Sequence, residues 1–305
     1  RLTVVANRAN VLWQRAVKTL KARDNTFTGV HACYWDSYGN KPQPDTPAHW
    51  SGPSFRTAGR ESLNPLSDVG TVVSRLTDLG LSHLVPRTFE RIQDAVATNP
   101  KADDLWFIRP RLRGAKEKTL CVPTAILRSV TLPAGHLLQR AEDQLVLIDQ
   151  HKFTTRIYLA VIGEVLYRFQ ESVAFVHGSP YSPDDANFAS QTDNQSYRET
   201  GSSIRLLPGS QTPQAHPIEE ASHALATQVR PLLNKVEAEC TNGAFAVLAL
   251  DTLLTKAGDL KLIRIHTFPN FITTGSIDAD VHVPLFEDIL RVMAGLPSRQ
   301  LVTIT

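Results

Sequence analysis

The stretch FAVLALDTLLTKAGDLKLIRIHTFPNF, Phe245 to Phe271, decides the fold. Two apolar runs flank the polar segment Lys256–Asp259, which contains a glycine. Runs of this length bounded by turn residues read as buried strands, so the stretch is predicted to be a β-hairpin. A four-residue turn at Lys256–Asp259 sets Thr255 opposite Leu260 and, counting outward, Asp251 opposite Arg264. Paired residues hold their Cβ atoms about 4.5–5.5 Å apart. Alternate residues share a face, which puts His266 beside Arg264. Charged groups thus stand where a buried strand is expected to be apolar, and Arg264 is expected to neutralise Asp251.

Working upstream, Val173–Val176, Val165–Phe169, Phe153–Ile162 and Gln144–Asp149 read as an antiparallel run of strands. Leu105–Pro110 is a strand stopped by proline, and Leu120–Pro123 is another. Leu2–Val5 reads as a strand, Val11–Leu20 as a helix, and His31–Gly39 as a strand running into a turn. Lys41–Arg60, with Pro42, Pro44, Pro47 and Pro53, reads as a surface loop. Val69, Val72, Val73, Leu76 and Leu79 recur at helical spacing, which predicts a helix over Ser67–Leu79 with Ser67 as N-cap. Ile92–Ala97 is predicted helical, and Gly178–Gly209 a long polar loop. Downstream of that loop, Ile218–Cys240 is an amphipathic helix with a kink at Pro231, and Val283–Gly295 is a closing helix. Helices and strands mix without a βαβ rhythm, so the expected class is α+β with antiparallel sheets flanked by helices, not a Rossmann sheet.

At 305 residues the chain is long enough to bury a large core and to divide into lobes. Lys+Arg 32 against Asp+Glu 30 leaves a net charge of +2, which points to no class of partner. No apolar run approaches the roughly 20 residues that span a bilayer, so no membrane partner is expected. Cys33, Cys121 and Cys240 are far apart and lack zinc-ligand spacing, which fits free thiols in a reducing, intracellular compartment. Arg1, Arg8, Arg15, Lys18, Lys21 and Arg23 open the chain without an acidic residue. Such starts occur in organelle transit peptides. The expected reading is instead that LTVV and VLWQRAVKTL are a strand and a helix of the fold.

Several segments, in order, resemble the tubulin-tyrosine-ligase-like branch of the ATP-grasp superfamily. LWFIRP is similar to its W-I-x-K-P strand, and Gln139 with the residues after it resembles its Q-R-Y strand. DQHKFTTRIYLAV is similar to G-x-K-F-D-x-R-x-Y-x-x-V, and VLYRFQESVAF to Y-x-Y-R-E-G-x-x-R-F. LALDTLLTKAGDLKLIRIHTFPN resembles the F-D-F-L-L … L-L-E-V-N-x-x-P hairpin, and VPLFEDILRVMAG the closing helix. The resemblance covers most of the chain. It implies an ATP-grasp fold of three lobes, at residues 1–88, 89–147 (central) and 148–305 (C-terminal core), with ATP between two antiparallel sheets. Active members of the family join an amino acid to a protein carboxylate through an acyl-phosphate.

That reaction needs a cation on the phosphates, magnesium held by carboxylates, and a glycine-rich loop. The resemblance puts Arg109 at the phosphate-binding lysine. Arg keeps the charge in a bulkier, forked form, and a strand-end Arg pairing with a surface carboxylate is the structural alternative. If ATP binds, Arg109, Gln139 and Asp251 are the residues implied. The loop Arg111–Leu120 has a single glycine, Gly114, where the family has two. It carries Arg111, Arg113, Lys116 and Lys118, which suit an acidic protein tail, an RNA backbone or simply a solvated face. Thr154 stands at a family Asp. Arg156 is retained, either facing the cleft or forming an ion pair within the sheet. Asp193 falls at a family Asn. At the hairpin, Arg264 and His266 replace a Glu and an Asn. Arg has no acceptor atom, and imidazole is a poor partner for hard magnesium. Arg156, Asp251, Arg264 and His266 therefore occupy the family's catalytic positions, and no metal site is expected unless Asp251 serves an active enzyme.

The expected function is that of a catalytically inactive relative, a structural or binding subunit of a larger assembly such as an organelle ribosome. No cofactor is expected; protein partners are, and the basic loop leaves RNA open as a further partner. One alternative is an active ATP- and magnesium-dependent ligase acting on a tubulin tail or similar carboxylate, with Asp251, Asp193, Asp184 and Asp185 as candidate metal ligands. The other is an ATP-binding regulatory module without turnover. Mitochondrial and cytoplasmic or cytoskeletal locations stay open.

Overall fold

The computed structural model describes residues 4–6, 9–34, 44–112, 119–192, 197, 199, 201–271 and 275–305. Two long strands, β8 (Phe153–Ile162) and β12 (Ala244–Leu254), pair antiparallel at the centre of a large sheet. Both are buried along their whole length, as expected for strands covered on both faces. Beyond β8 the sheet divides: β10 (Val173–Val176) pairs with its start and β9 (Val165–Phe169) with its end. Beyond β12 it divides again, with β3 (Ser54–Thr57) at the start and β13 (Leu260–His266) at the end. The strands β1 (Val4–Ala6), β2 (His31–Tyr34), β11 (Arg205–Pro208) and β14 (Leu301–Thr303) complete ten strands among the described residues.

A second sheet of four strands has the order β4 (Thr88–Phe89), β7 (His136–Arg140), β5 (Leu105–Pro110), β6 (Leu120–Pro123). It builds its own small core from Trp106, Ile108, Leu127 and Leu138, closed by α4 (Ile92–Val96) and α5 (Thr124–Leu127). The other face of this sheet carries Phe107, Arg109 and Gln139, because side chains alternate along a strand.

Helices cover both faces of the large sheet. Residues of α2 (Arg60–Ser67), α3 (Val69–Asp78), α7 (Ala215–Val229) and α8 (Asn234–Cys240) fill one core with Ile157, Leu159, Leu248 and Leu250. Those of α1 (Asn10–Arg23) and α9 (Val283–Met293) fill the other with Tyr158, Phe245 and Val247. Trp13 of α1 lies 4.2 Å from Phe286 of α9 between ring centroids. The described residues of 4–87 and 148–305 thus share one sheet and its two cores. The expected three lobes are distributed over two sheets.

The architecture is α+β with a mixed and an antiparallel sheet, and several local expectations are corrected. The segment β1–α1–β2 is a parallel βαβ unit, so the N-terminal part does carry that rhythm. Within the expected loop Lys41–Arg60, Ser54–Thr57 is a parallel strand held by β2 and β12. The helix expected over Ser67–Leu79 is two helices. Asp68 is the N-cap of the second, accepting from the Thr71 amide at 3.1 Å, while Ser67 Oγ bonds to Thr267 Oγ1 at 2.8 Å. Gln144–Asp149 is not a strand; it makes only isolated bridges at Leu145 and Ile148. The polar stretch Gly178–Gly209 contains β11 and the short helix α6 (Phe188–Gln191). The helix expected over Ile218–Cys240 is broken by a 3-10 turn at Arg230–Leu233, where Pro231 has no amide to donate.

The hairpin turn also differs. It spans five residues, 255–259, with Leu254 opposite Leu260 and Gly258 at φ 88°, a left-handed conformation that favours glycine. One residue would then be out of step, but Thr252 pairs with Leu262 and Asp251 with Arg264. Ile263 is the extra residue of a β-bulge. The bulge restores the expected Asp251–Arg264 register.

Candidate functional site

Three adjacent strands bring Arg156 (β8), Asp251 (β12) and His266 (β13) to the same face of the large sheet. Arg156 is the ladder partner of Asp251, and His266 that of Ala249, one pleat away. The Arg156 guanidinium binds the carboxylate through two parallel bonds, Nε to Oδ1 at 2.7 Å and Nη2 to Oδ2 at 3.0 Å. His266 Nε2 meets Oδ2 at 2.7 Å. An ionised carboxylate only accepts, so His266 must carry its proton on Nε2. The 3.4 Å approach between Arg156 Nη2 and His266 Nε2 is therefore two donors converging on one oxygen. Arg156 also lies 5.0 Å from the Phe175 ring centroid. All three side chains are less than a tenth exposed.

Burial alone would raise the Asp251 carboxyl, but Arg156 and then His266 outweigh it and hold the carboxyl well below the usual range. Burial pulls the Arg156 guanidinium down, and Asp251 more than reverses this. The group is a closed ion pair with a third donor.

Arg264 does not neutralise Asp251, contrary to expectation. Its Nη2 donates to the Pro110 carbonyl of the second sheet at 3.3 Å. The reason is that β12 has neighbours on both edges, and Arg156 reaches the carboxylate from the other side. Arg109 is buried at the end of β5, and its Nη1 donates to Gln139 Oε1 at 2.8 Å instead of pairing with a surface carboxylate. Gln139 Nε2 in turn donates to Thr88 Oγ1 at 3.0 Å. Burial, reinforced by Arg264, pushes the Arg109 guanidinium down to about 9, with Asp251 opposing. A crevice of about 10 Å³ beside Gln139, Ile263 and Arg264, walled by Val69, Val72 and Val85, has room for about one water.

Arg111, read as part of a loop for an acidic tail, an RNA backbone or solvent, is engaged within the chain. It binds Asp68 at 3.1 Å and Glu90 at 2.9 Å. Arg113, Lys116, Lys118 and Asp193 lie outside the described residues. Asp184 and Asp185 are exposed, and Asp185 Oδ1 accepts from the Asn187 amide at 3.0 Å. Thr154 is buried opposite Phe175 in β10.

Two buried polar groups escaped sequence reasoning. Lys152, immediately before β8, donates to the Gln191 carbonyl at 2.9 Å and sits 4.9 Å from the Phe107 ring centroid. Burial pushes its amine down to about 8, with Cys121 opposing. Its signal was available: a lysine immediately before a strand that is buried along its length. The second is a chain on the α1–α9 side, where Asp278 Oδ1 meets His282 Nδ1 at 2.9 Å and His282 Nε2 meets Tyr158 OH at 3.1 Å. Neutral His282 with its proton on Nδ1 satisfies all three groups, donating to Asp278 and accepting from Tyr158. Only the i, i+4 spacing of Asp278 and His282 hinted at it.

Among the described residues, no three His, Cys, Asp or Glu side chains converge on a metal position. No described helix is long and apolar enough to cross a membrane. Cys33, Cys121 and Cys240 are free thiols. No protein-family model matches this sequence, and neither does any curated protein.

Proposed function

We propose that this chain is a non-catalytic member of the tubulin-tyrosine-ligase-like branch of the ATP-grasp fold, kept as a structural or binding subunit of a larger assembly such as an organelle ribosome. The observation that carries this reading is the saturation of Asp251 by Arg156 and His266. A magnesium ion requires oxygen ligands in near-octahedral geometry. Here the one carboxylate at the site is bound on both oxygens by cationic or N–H donors, and the neighbouring positions hold Arg264 and His266. The donor set does not fit the metal, so no ligase step is assigned to it. The ion pair instead ties three strands together where they approach the second sheet.

One observation favours a second reading, nucleotide binding without turnover. Arg109 Nε is buried with no acceptor among the described residues, and Lys152 is a second buried cation on the same side of the small sheet. Thermal unfolding with and without ATP and magnesium separates the readings. A ligand at 100 times its Kd stabilises a fold by about 2.7 kcal/mol. The scaffold reading predicts no shift at millimolar ATP. A magnesium-independent shift supports nucleotide binding alone. A magnesium-dependent shift, with an amino acid joined to an acidic tubulin-tail peptide, would overturn both.

A further inference from the structure

The geometry points to the outer face of α1 as a docking surface for the phosphodiester backbone of RNA. This deepens the scaffold reading and rests on it. The inner face of α1, Leu12, Trp13, Ala16, Val17 and Leu20, is buried. The outer face exposes Val11, Arg15, Lys18, Lys21 and Ala22. Arg15, Lys18 and Lys21 follow one another every three residues, over about 9 Å of helix axis.

The helix contains no acidic residue. The carboxylates packed near it are already engaged. Asp24 is held by Thr26 and lies 3.6 Å from Arg291; Glu287 binds Arg23 at 3.3 Å; Asp278 is fully buried against His282. Arg15 approaches Asp278 only at 3.9 Å and remains 45% exposed. Asp280 is the exposed carboxylate of the segment that follows Asp278.

The helix dipole accounts for cations in the last turn, Lys21 and Arg23. It accounts neither for Arg15 and Lys18 nor for a first turn without an acid, where the dipole favours one. Two of the three outer cations are lysines, compact point charges of a kind that binds phosphates. A bilayer is disfavoured because the apolar face of α1 is already buried in the core, leaving Val11 and Ala22 for insertion.

The test is fluorescence anisotropy with a labelled single-stranded RNA of mixed sequence, titrated with the intact chain at several salt concentrations. Three phosphate contacts on single-stranded RNA give a log–log salt slope of about −2, an approximately 20-fold loss of affinity from 50 to 200 mM salt. Lys18→Ala with Lys21→Ala keeps helix propensity and removes two contacts, so the slope should fall to about −0.7. Far-UV circular dichroism checks that the variant is folded. No binding at low salt, or a slope unchanged in the double variant, overturns the proposal. So does binding of phosphatidylserine vesicles or polyglutamate in preference to RNA. Ligase turnover by the same preparation would overturn the scaffold reading while leaving the anisotropy result to judge the surface by itself.

Discussion

Replacing Arg156 with methionine removes the guanidinium that holds both oxygens of Asp251. The carboxylate then remains in a site where its side chain is 9% exposed, with His266 as its remaining partner. Breaking a buried pair from one side costs about 3–5 kcal/mol, because it leaves a charge uncompensated. The His266 bond offsets part of this, so about 3 kcal/mol is expected. At roughly 2–4 °C per kcal/mol, the midpoint should fall by about 6–12 °C. Arg264→Met removes a half-buried guanidinium that reaches a carbonyl, and should cost only about 1 kcal/mol. The triple change Arg156→Met, Asp251→Leu, His266→Phe removes every member of the group and should recover most of the loss, as apolar replacements of buried pairs do. Urea unfolding followed by circular dichroism measures all three. A cost below about 1 kcal/mol for Arg156→Met, or equal costs at Arg156 and Arg264, would refute the assignment of the ion pair.

Acid should act in two stages of the same sign. Burial holds His282 below its ordinary 6.5 against Asp278, so its contribution is present above that value and is lost as pH falls through the folded pKa. Asp251 lies well below 3.8, so its contribution is lost only in stronger acid. Urea midpoints measured from about pH 8 to about pH 3 should show the first stage and only the onset of the second, and His282→Gln should abolish the first. Lys152 is lowered from 10.5 to about 8, so its burial opposes folding at neutral pH and the penalty vanishes above 10.5. Lys152→Met should therefore be neutral or stabilising by about 1–2 kcal/mol at pH 7, after loss of the bond to Gln191, and this advantage should disappear at high pH. Deleting Ile263 removes the bulge while leaving Leu262 opposite Thr252 and Arg264 opposite Asp251, so Arg264 and His266 keep their present face. A variant that still unfolds cooperatively, with a loss of about 1–3 kcal/mol, is the expected result, and loss of the cooperative transition would contradict the register.

The strands β5, β6, β8, β9 and β10 were legible to the residue, because each is an apolar run closed by proline, glycine or a polar turn. The short strand Ser54–Thr57 was not, since its formation depends on β2 and β12, far away in sequence, and its four residues contain one large apolar side chain. Conversely, Gln144–Asp149 has the apolar run of a strand but no continuous partner. At the site, hairpin counting found the Asp251–Arg264 pairing although the turn was one residue longer than expected; the bulge at Ile263 compensated. The same counting could not find the carboxylate's true partner. A hairpin supplies one neighbour of a central strand, and the other, Arg156, lies 95 residues upstream. Likewise Gln139 could be placed on a strand, but that both ends of its amide are taken by Arg109 and Thr88 depends on the packing of the small sheet.

The central claim is that Arg156 and His266 occupy the coordination positions of Asp251. Crystals grown with ATP and manganese, examined by anomalous diffraction at the manganese edge, test it most directly. The account predicts an intact two-bond contact from Arg156 to Asp251 and no anomalous peak on that carboxylate. Manganese bound to Asp251, with Arg156 displaced, would contradict it.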